Sequence, residues 1–224
     1  TAPVRPEAQR AIANVLAHAH GNPSSAHGFG AAARAVIASA RKQVADALGA
    51  PPESIVFTSG ATEANNTVLR HAAHSGAGGE VHLVSCATEH PAVLEELRAL
   101  ADEGCRVSIL PVERDGRLDP ERFEAALTPT TRLASVMWAN NETGVIQPVE
   151  ELARLAHAVG ALAHTDAAQS LGKVRVNVRE LDVDLLEGVD GLVLGGDEAV
   201  VGADHPHHYA GDYDQQQDCH GWLL

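Results

Sequence analysis

Apolar positions along the chain fall into two alternating patterns. Short runs rich in Val, Ile and Leu are separated by longer amphipathic or Ala-rich stretches. The short runs predict strands at 54–58, 81–85, 107–112, 133–137 and 161–165, and a further strand entering at Val183-Asp184-Leu185-Leu186. The longer stretches predict helices at 6–18, 30–48, 63–73, 91–101, 120–127 and 149–159. The first of these carries Pro6 near its start, where a missing N–H costs little, and the second ends at Gly49.

Strands that alternate with helices from 54 to 165 predict an α/β fold: three layers, a mostly parallel sheet with helices on both faces. In such sheets ligands gather at the carboxyl ends of the strands. Four polar clusters fall at those ends: Ser59-Gly60-Ala61-Thr62, Glu89-His90, Asn140-Asn141-Glu142, and Asp166 to Gln169.

Each cluster has a plain and a chemical reading. Thr58-Ser59-Gly60-Ala61-Thr62-Glu63 is either an ordinary capped helix start or a phosphate cradle. As a cradle it would offer backbone N–H groups, a helix N-terminus and the Thr62 hydroxyl. His90 is either a loop histidine, one of 13, or an imidazole for ring stacking and proton handling. Asn140-Asn141-Glu142-Thr143-Gly144 is a turn by composition, or a place for an amide to bond a cofactor hydroxyl. Asp166 and Gln169 either open a turn or hold a pyridinium nitrogen and a phenolic oxygen. An aspartate at the end of a buried strand suits the first task, because a pyridoxal phosphate enzyme needs a partner for its ring nitrogen.

Composition narrows the field. The net charge of −14 disfavours non-specific nucleic-acid binding. No apolar run is long enough to cross a bilayer, and no signal peptide is visible at Thr1-Ala2-Pro3-Val4-Arg5. Cys86, Cys105 and Cys219 lack CxxC spacing, which argues against a disulfide framework or a structural zinc site and for a reducing, cytoplasmic setting. The charge is lopsided: 11 acidic residues and no Lys or Arg lie between Glu180 and Leu224.

Taken together the motifs resemble a known family. Gly21-Asn22-Pro23-Ser24-Ser25, Thr58 to Glu63, Glu89-His90-Pro91, Ala139-Asn140-Asn141-Glu142-Thr143-Gly144 and His164-Thr165-Asp166-Ala167-Ala168-Gln169, in that order, look like the cysteine desulfurases. These belong to the class V branch of the fold-type I pyridoxal phosphate enzymes, with selenocysteine lyases as near relatives. The resemblance implies that Ala61 and Thr62 hold the cofactor phosphate and that His90 stacks on the ring and serves in acid–base steps. It implies that Asn141 supports the ring, that Asp166 pairs with the pyridinium nitrogen and that Gln169 bonds the phenolic oxygen. It implies no metal. The family reaction takes sulfur from L-cysteine, leaving L-alanine and an enzyme persulfide for a sulfur-acceptor or scaffold protein, as in iron–sulfur cluster assembly. A homodimer is implied as well.

The resemblance runs to about Leu186 and then stops. Residues 1–186 therefore read as a truncated cofactor-binding domain, and 187–224 as an aberrant acidic tail rich in His, Asp, Gln and Gly, expected to be poorly ordered. The family continues with a Ser-Gly-His-Lys segment whose lysine forms the Schiff base. Counting from Val183, those positions fall on Val189, Asp190, Gly191 and Leu192. Only Lys42 and Lys173 remain in the chain, and the family's cysteine loop has no counterpart. The expectation is an inactive chain as given. A selenocysteine lyase or other class V enzyme is an alternative, as is a non-catalytic remnant that pairs with a longer homologue. A shifted reading frame would account for the tail.

Overall fold

The computed structural model describes residues 3–75 and 79–188 in full, and the backbone of 192–195. The chain opens with α1 (Pro6–His18) and α2 (Gly28–Leu48). After a short 3-10 turn at Pro52–Ser54 come β1 (Val56–Phe57), α3 (Ala61–His74), β2 (His82–Cys86) and α4 (Pro91–Asp102). Then follow β3 (Arg106–Leu110), α5 (Pro120–Ala126), β4 (Thr131–Ser135), α6 (Val149–Ala158), β5 (Leu162–Asp166), α7 (Val178–Leu181), β6 (Leu185–Gly188) and β7 (Leu192–Gly195).

The predicted elements are present with shifted ends. The strand expected over 54–58 shortens to Val56–Phe57, because Pro51-Pro52 winds the preceding residues into the 3-10 turn. α2 begins two residues early, at Gly28, since the His27 side chain accepts from the Gly30 amide and caps it. α3 also begins two residues early, which puts Ala61 and Thr62 inside its first turn. α7 and β7 have no counterpart among the predicted elements. β6 continues past Leu186 to Gly188, and residues 192–195 add a strand of the same sheet. Residues 196–224, with Cys219, lie outside the described residues.

Among the described residues the sheet has seven strands in the order β1-β7-β6-β5-β4-β2-β3. Five strands, β3-β2-β4-β5-β6, run parallel, while β7 is antiparallel to both β6 and β1. Side chains alternate between the faces. On one face Leu83, Leu133 and Leu185 pack under Ala64, Val68 and Leu69 of α3 and Leu97 and Leu100 of α4. On the other Val84, Val136, Ala163 and Leu186 pack against α2, α5 and α6 through Ala45, Leu48, Phe123, Leu152 and Ala156. This is the three-layer α/β architecture that the pattern predicts.

Order matters for function. From β2 the chain moves outward to β3, then returns to the other side of β2 to form β4. The connections after β2 and β4 therefore diverge and leave a crevice at their carboxyl ends, where open α/β sheets bind ligands. The α3 face of that crevice is unusual. Continuing the alternation of Leu133 and Leu162, it carries Ser135, His164, Asp166 and Glu187, all buried.

Candidate cofactor site

Asp166, the last residue of β5, is only 4% exposed. Its Oδ2 accepts from Asn65 Nδ2 at 3.0 Å, and its Oδ1 from the Ala168 amide at 3.0 Å. Asn65 sits on the inner side of α3, one turn past Thr62. That single bond ties the helix start carrying Ala61 and Thr62 to the strand end carrying Asp166.

A second set of bonds closes the rim. Glu89, also buried, accepts from the Met137 amide at 2.7 Å through Oε1. The next residue, Trp138, donates its amide to the Asp166 carbonyl at 2.9 Å. Asn140 Nδ2 donates to the Thr88 carbonyl at 2.9 Å. The loops after β2, β4 and β5 are thus held together by two buried polar side chains and one backbone bond. Thr88, Glu89 and Met137 lie beside the candidate residues His90 and Asp166, so the rim brings those candidates onto one connected framework.

His90 is the exposed N-cap of α4, and its Nδ1 accepts from the Ala92 amide at 3.1 Å. An accepting Nδ1 places the proton of the neutral ring on Nε2. The outward nitrogen is therefore a hydrogen-bond donor. Gln169 is half-buried in the turn after β5, with its Oε1 accepting from Lys173 Nζ at 2.6 Å. Asn141 is exposed at the tip of the turn after β4. Its neighbour Asn140 does the bonding there, with Oδ1 accepting from the Glu142 and Thr143 amides at 3.0 and 2.8 Å. The plain turn reading of this cluster is the one Asn140 displays.

At the start of α3, Gly60 is the N-cap, and the Glu63 carboxylate turns back to accept from the Ser59 amide at 2.6 Å. That bond and the Ser59 hydroxyl hold the Glu63 carboxyl below its usual range. The capped-start reading is therefore real. It coexists with a helix N-terminus whose Ala61 and Thr62 lie in the first turn, Thr62 being exposed.

Beneath the rim lies a set of buried titratable groups. Burial pushes Glu89 well above the usual carboxylate range; its bond to Met137 opposes this, and the charge of Asp166 adds to it. His164 donates or accepts at Nδ1 with Ser135 Oγ at 2.9 Å, and burial lowers its pKa to about 4. Glu187 is fully buried beside Asp166, its in-register neighbour on β6. Burial, and then its contact with the Asp166 carboxylate, raise it to about 10. Sequence reasoning passed over Asn65, Glu89, His164 and Glu187 as site residues. A signal existed for two of them. Asn65 stands three residues after Thr62 on a helix whose inner side is otherwise Ala, Val and Leu, and Glu187 follows Leu185-Leu186 within a strand.

Among the described residues no group of three or more His, Cys, Asp or Glu side chains is arranged to hold a metal ion. No described helix is long and apolar enough to cross a membrane. The two lysines are surface groups: Lys42 pairs with Asp46 at 2.7 Å, and Lys173 reaches only Gln169.

A three-layer α/β sheet of this order has a buried aspartate closing β5 and a helix N-terminus bound to it through Asn65, and residues 1–187 match the aminotransferase class-V family model. The chain belongs to that family. Within it, the chain is similar to cysteine desulfurases. It is 46% identical over 186 residues to cysteine desulfurase IscS of Anaeromyxobacter sp. (strain K), covering 83% of this chain and 46% of that protein. It is 41% identical over 201 residues to cysteine desulfurase of Mus musculus, covering 89% and 44%. Among solved structures, a NifS-like protein superposes with a TM-score of 0.85 at 32% identity, covering 88% of this chain and 57% of that one. A structure of SspA in complex with cysteine gives 0.82 at 32%, covering 86% and 58%. The chain thus spans about half the length of the curated relatives it matches.

The residues present fit pyridoxal phosphate at one end and not at the other. Asp166, buried and oriented by Asn65 and Ala168, suits a cationic ring nitrogen. By the family count, the covalent position is taken by Leu192, the first residue of β7, which has no amine to form a bond. In the same count Val189 and Gly191 stand where the resemblance implies a phosphate-binding Ser and His.

Proposed function

We propose that this chain is a cysteine desulfurase-type domain that binds pyridoxal phosphate without a covalent lysine link. The observation that carries the reading is Asp166: a carboxylate at the end of β5, 4% exposed and fixed by two hydrogen bonds. Asp166 would hold the ring nitrogen and Gln169 the phenolic oxygen. His90 would stack on the ring and carry protons through Nε2, and Asn141 would support the ring. Ala61 and Thr62 would bind the phosphate at the start of α3. The cofactor, when bound, supplies an electron sink for bond cleavage next to an amine. What the chain itself supplies is orientation, a water-poor floor under the ring, and the His90 proton. L-Cysteine is the substrate proposed for the whole protein, with a sulfur-acceptor protein receiving the sulfur. With Leu192 at the lysine position, the chain as given is proposed to be inactive. The free thiols Cys86 and Cys105 favour a reducing, cytoplasmic setting.

The test is direct. Pyridoxal phosphate is added to the purified chain, the visible spectrum recorded, and the mixture treated with borohydride before peptide mass spectrometry. The reading expects saturable binding that Asp166→Ala weakens at least tenfold, and no stoichiometric lysine adduct. Binding that ignores Asp166→Ala overturns the site. A stoichiometric adduct on Lys173 overturns the claim of inactivity.

A second reading rests on α1. None of its residues is buried, and Ile12, Val15 and Leu16 are exposed together with Val4 and Phe29. Such a patch on an amphipathic helix suits a protein partner, in keeping with a non-catalytic member of a dimer. Co-purification with a full-length cysteine desulfurase, lost in Leu16→Glu, is the expected result.

A further inference from the structure

Beneath the proposed ring site, the α3 face of the sheet gathers three buried carboxyls, Glu89, Asp166 and Glu187, with the imidazole of His164. Among the described residues no Lys or Arg is buried with them. Three carboxylates in one water-poor pocket would repel strongly, and a buried unpaired charge costs several kcal/mol. The geometry shows how the fold avoids this. Asp166 and Glu187 are register partners on adjacent parallel strands, so their side chains leave the same face side by side. Asp166 already accepts from Asn65 and Ala168, the partners of an ionised carboxylate. Glu187 has no donor for either oxygen among the described residues. An ionised Glu187 would therefore be a buried charge with nothing to stabilise it. As a neutral acid it has an O–H, which the neighbouring Asp166 carboxylate can accept.

We propose that Asp166 and Glu187 form a proton-sharing pair in which Glu187, a positioning residue, donates its carboxyl proton to Asp166. A single negative charge then faces the ligand's ring nitrogen. The proposal rests on the ring-binding reading of Asp166 for its ligand, but the pair is a property of the free protein. The groups that face it agree. On β5, His164 is neutral at ordinary pH, because burial lowers it to about 4. On the loop after β2, Glu89 is held well above the usual range by burial. α3 contributes the uncharged Asn65 and the apolar Ala64, Val68 and Leu69. Burial and the neighbouring Asp166 carboxylate together raise Glu187 to about 10. The pocket then bears one charge in place of three. It matches one monocationic N–H donor, such as a pyridinium, and offers a divalent cation little.

The consequence is specific to this chain. Binding a pyridinium at Asp166 requires no proton to leave Glu187, because burial, the larger cause of its neutrality, persists when the ring covers it. Glu187 instead limits how much charge Asp166 presents and fixes the direction of its free lone pair.

Infrared spectroscopy of the full chain in D2O reads this without relying on cofactor. A carbonyl stretch of a protonated carboxylic acid is expected at neutral pD. It should move when glutamate is 13C-labelled and stay when aspartate is labelled. Glu187→Gln should remove the Glu187 share of it and leave the share of Glu89, so the wild-type-minus-variant difference carries the test. Should that variant not fold, the wild-type band should vanish on alkaline titration near pH 10. No acid band at neutral pD, or a band that follows the aspartate label, overturns the proposal. Pyridoxal phosphate is then added to the same sample. Retention of the band supports the pair, whereas its loss on binding overturns the claim that Glu187 stays neutral. If the band is present and pyridoxal phosphate does not bind, the function reading fails and the pair stands.

Discussion

Asn65 and Asp166 lie 101 residues apart in sequence and are joined by a 3.0 Å hydrogen bond inside the molecule. One belongs to the helix that presents Ala61 and Thr62, the other to the strand end that presents the carboxylate. The bond makes the two ends of the candidate site one object. Asn65→Ala leaves a buried carboxylate short of a donor, which costs roughly 1.5–3 kcal/mol. Chemical denaturation should show that loss, and pyridoxal phosphate affinity should fall with it. Unchanged stability would show that Asp166 finds another donor.

Glu187 predicts an inverted pH response. Its folded pKa, about 10, is raised above the unfolded value, so its contribution is fully present below the unfolded pKa near 4.3 and is lost as pH rises toward 10. Across that window the slope is at most on the order of 1.4 kcal/mol per pH unit. Glu187→Gln removes the penalty, so the variant should gain stability over the wild type between pH 5 and 9, increasingly with pH. Melting temperatures measured across that range decide it, and a constant difference would count against a protonated Glu187.

His157 on α6 offers a second pH test, at the far face. Its Nε2 lies 2.8 Å from Asp184, and its Nδ1 lies 3.4 Å from Asp182. Burial opposes its charge, but the bond and charge of Asp184, then those of Asp182, outweigh it and raise its pKa. A raised histidine stabilises fully below its unfolded pKa near 6.5 and loses that contribution as pH rises through the folded value. The advantage of wild type over His157→Gln should therefore be largest at pH 5–6 and shrink above neutrality, as read by denaturation at each pH.

Glu63 spends its carboxylate on the Ser59 amide at the mouth of the proposed phosphate cradle. A negative charge there opposes a phosphate at the same helix end. Glu63→Gln should tighten pyridoxal phosphate several-fold, while the weaker cap lowers the melting temperature slightly. Fluorescence titration checks the first and thermal unfolding the second. Weaker binding in this variant would place the phosphate elsewhere.

Much of the fold was legible because the β2–β5 runs are short, apolar and separated by helices with clear starts: Pro91 and Pro120 open theirs, and Gly49 closes α2. The antiparallel β7 was not legible. Leu192 to Gly195 pairs with β6 and β1, and that pairing is a long-range property that four residues do not announce. In the candidate site, Asp166, His90 and Gln169 were found as motif residues at strand ends. The buried groups behind them were not, since a lone Asn on a helix or Glu in a strand ordinarily reads as surface. Glu187 becomes visible only when register sets it against Asp166. At Asn140 and Asn141 turn geometry decides which amide points inward: Asn140 bonds within the turn and to Thr88, and Asn141 is exposed.

The pairing of β1 with β7 carries a timing rule for synthesis. Among the described residues, Val56 and Phe57 find their strand partner in Val193 and Leu192, more than a hundred residues later. A ribosome makes β1 well before β7, yet β1 can take this place in the sheet only when β7 has emerged. Until then Val56 and Phe57 form an open edge on a growing domain, the condition in which nascent chains stick to one another. Residues 192–195 thus govern when β1 is allowed to settle.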